Sequence, residues 1–283
     1  MSSSTTSGQG DDAPGLVCVV DCVHGMVDAL SCVRWNKHQG AVVELSEHGI
    51  VVTVEESGCL QAKVYLKTEL FAEYDYGAEG RPRFGLSLGL LVDCLNMFTV
   101  PGFASPVEIR YPGPDMQLLL RSVGSPDACI HAEIRTRIPD TVAWDYHFEH
   151  AGNTPVTFTV KSAILKESID DLEWPGSSIQ IHFHPDPPSV IFKGEGHGDL
   201  EIEFSYYANT DLLIAFQCDQ ELSYRYKYKF LRATTSNVPS SVLKENRGIA
   251  RLGTQSYHNF AGGTQQPSRI AFIEFFVKPE EED

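Results

Sequence analysis

Apolar and polar residues alternate along most of the chain, in AVVELSE, CLQAKVYL, RFGLSL, VEIRY, ACIHAEIR, SIQIHFH, DLEIEFS, SYRYKYKF and RIAFIEFFV, with LVCVVDC near the start. A period of two sends successive side chains to opposite faces of a strand, so the chain is predicted to be mostly strand. Four stretches carry a helical period instead. Residues 24 to 36 place Met26, Leu30 and Val33 on one face, 87 to 98 place Leu88, Leu91 and Leu95, and 162 to 173 place Leu165, Ile169 and Leu172. A short fourth helix is expected near 230 to 238. The pattern predicts an α+β fold with helices packed on antiparallel sheets.

The order of elements repeats. A strand at 16 to 22 followed by helix 24 to 36 is matched by a strand at 156 to 161 followed by helix 162 to 173. The pairs Val17/Phe158, Leu60/Leu200 and Phe84/Tyr226 lie 141, 140 and 142 residues apart, half the chain. Two similar domains with two helices each are therefore predicted, at 15–137 and 156–279. Between them IPDTVAWDYHFEHAGNTP, residues 138–155, reads as a surface connector from its Pro, Gly and Asn. Residues 1–14 read as a disordered tail and 280–283 as an acidic one.

At 283 residues, 42% hydrophobic and 21% charged, the chain can bury a core in each of two domains. No apolar run reaches the ~20 residues of a membrane helix, and MSSSTTSGQGDDAPG has neither the basic nor the apolar segment of a secretion signal. The seven cysteines are odd in number, lack a CxxC pair and sit in apolar runs, which favours free buried thiols in a reducing compartment, cytosol or nucleus. A net charge of −16 argues against gripping nucleic acid by the protein's own surface, because such affinity is mostly phosphate neutralisation. A role on DNA would have to work otherwise, for instance by closing a ring around the duplex.

Motifs that could carry chemistry have simpler explanations. His182 and His184 share one strand face at a spacing a metal could use, but with Ile179, Ile181 and Phe183 opposite they read as the polar side of an amphipathic strand. The glycines Gly194, Gly196 and Gly198 of GEGHG fit neither nucleotide fingerprint and read as a hairpin turn. Cys94 lies on the apolar side of its helix, beside Leu91 and Leu95, an unsuitable setting for a nucleophile. Asp170 and Asp171 read as solvated charge. SYRYKYKFLR puts Arg225, Lys227 and Lys229 on one face and Tyr224, Tyr226, Tyr228 and Phe230 on the other. That pattern suits stacking of single-stranded nucleic acid, and suits equally a strand with its aromatics in the core. No nucleophile, base and orienter converge, and no metal or cofactor site is expected.

The segment HGMVDALSCVRWNKHQGAVVELSEHGIVVTVEESGCLQAKVYL, with its hairpin at His48, Gly49 and Ile50, resembles the opening of a domain of the proliferating cell nuclear antigen (DNA sliding clamp) family. RPRFGLSLGLLVDCLNMF resembles that family's approach to its second helix, and RIAFIEFFVKPEEED its last strand and acidic tail. LLVDCLNMF and ENRGIARLG look most like the Rad-one branch, found in the nine-one-one checkpoint clamp. The resemblance spans nearly all of residues 15 to 283.

It implies a processivity-type DNA clamp fold and a scaffold rather than an enzyme. The chain would be one of three subunits of a nuclear ring, beside Rad-nine-like and Hus-one-like partners. A clamp loader would close the ring around double-stranded DNA, and the ring would recruit repair and signalling proteins. A self-trimerising replicative clamp is the alternative within the family; a β-rich enzyme or ligand-binding module is the alternative outside it. By the same resemblance the edge strands at 128 to 135 and 199 to 205 form the subunit interfaces, through Ile130, Ala132 and Ile134 and through Leu200, Ile202 and Phe204. Proline at Ile130 or Ile202 is expected to block assembly by removing a ladder donor. Trp144, Tyr146 and Phe148 of the connector are expected near a client groove. The helices facing the hole are acidic where the family has Lys and Arg, leaving Arg34, Lys37, Lys161, Lys166 and Arg232 as the DNA-facing candidates.

Overall fold

The computed structural model describes residues 15–21, 23–77, 81–100, 105–124, 129–139, 156–207, 212–237, 243–247, 251–256 and 271–280, with backbone alone at 243–247, 251–256 and 271. The first half runs β1 (Leu16–Val20), α1 (Val23–Ser31), β2 (Gly40–Ser46), β3 (Gly49–Glu56), β4 (Leu60–Lys67), a 3-10 turn (Thr68–Leu70), β5 (Glu73–Tyr76), β6 (Arg83–Ser87), α2 (Leu88–Met97), β7 (Val107–Tyr111), β8 (Leu118–Ser122) and β9 (His131–Ile134). Apart from the 3-10 turn, the second half repeats that order. It runs β10 (Thr157–Lys161), α3 (Ser162–Asp171), β11 (Ser178–Pro185), β12 (Pro188–Glu195), β13 (Asp199–Ser205), β14 (Leu213–Gln217), β15 (Leu222–Lys227), α4 (Tyr228–Ala233), β16 (Leu243–Arg247), β17 (Arg251–Ser256) and β18 (Ala271–Val277).

The sheets repeat too. The first half contributes β5-β1-β7-β8-β9 as one sheet and the run β4-β3-β2-β6; the second contributes the run β14-β10-β16-β17-β18 and the sheet β13-β12-β11-β15. β18 pairs antiparallel with β4, from Ala271↔Leu66 to Val277↔Leu60, and joins the two runs into one nine-stranded sheet across the halves. Beneath this seam Ile273, Phe275 and Val277 meet Val64, Ala62 and Leu60, all buried in one continuous core. After β18 the chain stays attached to both halves, as Lys278 N–H donates to the Cys59 carbonyl and Glu280 N–H to the Arg225 carbonyl. The proposed acidic tail is thus held at its first residue.

Three expectations need correction. Helix 24–36 stops at Ser31, where the N–H groups of Val33 and Arg34 turn to the i−3 carbonyls of Leu30 and Ser31, and Gln39 Oε1 then accepts the N–H of Trp35 at 2.9 Å in place of a helical bond. The helix expected at 230–238 is α4, which starts directly from strand β15 at Tyr228, so Tyr228 and Phe230 belong to the helix and end the strand alternation. The pair Val17/Phe158 straddles opposite faces: Phe158 is buried, whereas the core side of β1 is Leu16, Cys18 and Val20. The helix 87–98 shortens by one residue at each end to α2, and 162–173 by two at its C-terminal end to α3.

Candidate functional site

β9 and β13 are the terminal strands of their sheets, and they occupy the places in their halves that β18 and β4 occupy at the internal seam. Ile130 N–H donates to Ser122 Oγ at 3.0 Å and Ser122 N–H to the Ile130 carbonyl at 3.0 Å, so the polar groups of Ile130 face inward to β8. By strand alternation the N–H groups of His131 and Glu133 face the open side. On β13, Tyr206 N–H donates to the Pro188 carbonyl at 2.9 Å, which turns residues 200, 202 and 204 inward to β12 and Glu201 and Glu203 outward. Proline at Ile130 or Ile202 would therefore break inward bonds; the donors of the open edges include those of His131, Glu133, Glu201 and Glu203.

Of the six residues expected at the interfaces, Ile134 and Phe204 are already buried within the chain. Ile130, Ala132, Leu200 and Ile202 pack against the core but keep exposed surface at the edges. The counterparts at the paired seam are fully covered, so each open edge leaves a strip of core uncovered. On the outward side of the seam, Tyr65 Oη donates to Glu274 at 2.7 Å, the Tyr65 and Phe272 rings stack with centroids 4.2 Å apart, and Lys63 Nζ sits 5.5 Å from the Phe276 centroid. The sequence reading missed these partners, which lie over 200 residues apart in the chain.

The helices pack in pairs, α1 with α2 and α3 with α4. Arg34 Nη1, just beyond α1, donates to Asp93 Oδ1 on α2 at 2.7 Å. Arg232 on α4 pairs with Glu173 at 2.9 Å and with Asp170 at 3.7 Å. Lys166 Nζ donates to the Ser236 carbonyl at 2.8 Å. Lys37 and Lys161 are exposed. Two of the five candidate cations are thus neutralised by carboxylates on the neighbouring helix, partners the sequence carried but did not identify. Asn237 Nδ2 donates to the Arg34 carbonyl at 2.9 Å, tying the end of one helix pair to the other.

His182 and His184 lie on the half-buried face of β11 opposite buried Ile179, Ile181 and Phe183. Burial first, then His184 and Lys193, lower the pKa of His182. Among the described residues no three His, Cys, Asp or Glu side chains gather as a metal site, and no helix is long and apolar enough to cross a membrane. Gly196 and Gly198 form the β12–β13 turn, whereas Gly194, also expected in the turn, lies within β12 between Ile179 and Leu200. Cys94 is buried, and burial together with Asp93 raises its thiol pKa, the reverse of activation. Trp144, Tyr146 and Phe148 lie outside the described residues.

A sequence model for the family described as Repair protein Rad1/Rec1/Rad17 matches residues 15–242. The cell cycle checkpoint protein RAD1 of Mus musculus is 27% identical over 280 residues, covering 94% of this chain and 93% of that protein. The Homo sapiens protein of the same name is 27% identical over 282 residues, 96% of this chain and 94% of that one. DNA repair protein Rad1 of Drosophila melanogaster is 23% identical over 269 residues, with 93% of each covered. Among solved structures, the proliferating cell nuclear antigen of Thermococcus kodakaraensis superposes with a TM-score of 0.71 at 15% identity, covering 94% of this chain and 100% of that one. That of Entamoeba histolytica superposes at 0.69 and 14% identity, covering 95% and 100%. At such identities the structures establish the fold.

Proposed function

The chain belongs to the Repair protein Rad1/Rec1/Rad17 family and has the fold of a sliding clamp, and from these we propose that it is a checkpoint clamp subunit that joins two unlike partners, Rad-nine-like and Hus-one-like, in a ring around duplex DNA. The observation that carries this reading is the contrast between the closed seam, β18 on β4, and the two open edges of the same build, β9 and β13. A chain that makes one such seam internally and leaves one half-seam at each end closes only by meeting other chains. A clamp loader would open and load the ring in the nucleus, and the subunit would serve as a scaffold for repair and signalling proteins, with no bond made or broken.

The purified chain should sediment as a monomer at micromolar concentration. Mixed with both partners it should give one complex holding one copy of each, seen as a closed ring by electron microscopy. A stable homotrimer of the chain alone would make it a replicative-type clamp, and failure to associate with either partner would overturn the clamp reading.

A further inference from the structure

The two open edges differ in charge. On β13 the outward-facing side chains Asp199, Glu201 and Glu203 are all exposed and succeed one another at alternate positions, about 7 Å apart along the strand. The neighbouring cation on β12, Lys193, is engaged by Glu195 at 2.7 Å. The corresponding face of β4 at the internal seam carries Lys63, Tyr65 and Lys67, which meet Glu274, Phe272 and Phe276 of β18 through a hydrogen bond, a ring stack and cation–π contacts. The outward face of a seam in this fold is therefore where chemically matched side chains meet across the ladder. β13 offers the opposite sign from β4.

We propose that β13 selects, as its neighbour in the ring, a clamp subunit whose seam strand presents Lys or Arg opposite Glu201 and Glu203. This rests on the clamp reading above. The chain's own β9 presents a mixed face, with exposed Glu133 between His131 and Arg135, and so matches the three carboxylates less well than a strand with Lys or Arg at successive outward positions. The three carboxylates attract such a strand without touching the apolar strip of Leu200 and Ile202 that any partner would cover.

The test uses the full chain and the two partner subunits, each titrated singly. The double substitution Glu201→Lys and Glu203→Lys should leave the circular dichroism spectrum of the free chain unchanged and lower its melting temperature only slightly, since both side chains are exposed and only Glu201 stands opposite a cation, Lys193 of β12. It should weaken binding of one partner by about tenfold or more and leave the other untouched. Glu201→Gln with Glu203→Gln should give a smaller loss, and wild-type binding at this seam should weaken as salt rises, more steeply than that of the Gln variant. If the Lys variant binds both partners as tightly as wild type at low salt, the inference is overturned. If wild type binds neither partner, the clamp reading itself fails.

Discussion

Single positions carry two testable consequences. Gly49, the residue that singled out the hairpin in the sequence, has a φ of +130°, and a Cβ placed there would lie 2.2 Å from the Leu66 carbonyl oxygen of β4. Both the conformation and the contact exclude a side chain, so Gly49→Ala should lower urea stability by about 2–4 kcal/mol. Cys18, fully buried in β1, has its thiol pushed up from 9.0 to about 12 by burial. The folded chain keeps this proton while the unfolded chain releases it above pH 9. The stability it contributes is therefore whole below pH 9 and is lost as pH rises towards 12, with a slope of about 1.4 kcal/mol per pH unit. Urea midpoints measured across that window should fall less steeply for Cys18→Ala than for wild type. The apolar run around Cys18 points to a buried thiol but not to the face of the strand that carries it. LVCVV is apolar on both faces, so its sequence marks a strand without marking which side the core covers.

Among the elements, regular alternation made the strands legible where one face is wet, as in β4, β11 and β13. The second half's short helix was misplaced because the aromatics of SYRYKYKF continue their alternation across the junction at Lys227, where the backbone turns from strand into helix with no intervening loop. The direction of each backbone N–H is likewise invisible in sequence, and it decides the proline test. Glu133→Pro and Glu203→Pro remove donors that face the open edges, so each should keep monomer stability within about 1 kcal/mol of wild type while abolishing the seam on its own side. Ile202→Pro should instead destabilise the monomer, by removing a bond between β13 and β12. Thermal melts beside pairwise binding separate the two outcomes. If Glu133→Pro and Glu203→Pro both assemble normally, these strands are not the seams.

At the scale of the whole molecule, the net charge of −16 already set this chain apart from proteins that hold DNA by their own surface. What the sequence left open was how its few helix cations are used. Arg34 is held by Asp93, and Arg232 by Glu173 and Asp170. These exposed pairs brace one helix against its neighbour and add little stability, about 0–1 kcal/mol each. They also cancel the charge a phosphate would need. Lys166 has its ammonium on the Ser236 carbonyl, at the far end of the α3–α4 pair. Lys37 and Lys161 are exposed, as is Arg232. In the assembled ring, replacing Arg34 and Arg232 by Ala should leave the log–log salt slope of duplex binding almost unchanged, since carboxylates already hold their charge. Replacing all five should lower it by clearly less than the roughly 4.5 expected of five contacts at about 0.9 each. A fall of four or more would mean that Arg34 and Arg232 leave their carboxylates for phosphate when DNA enters, making this acidic subunit a principal gripping surface of the ring.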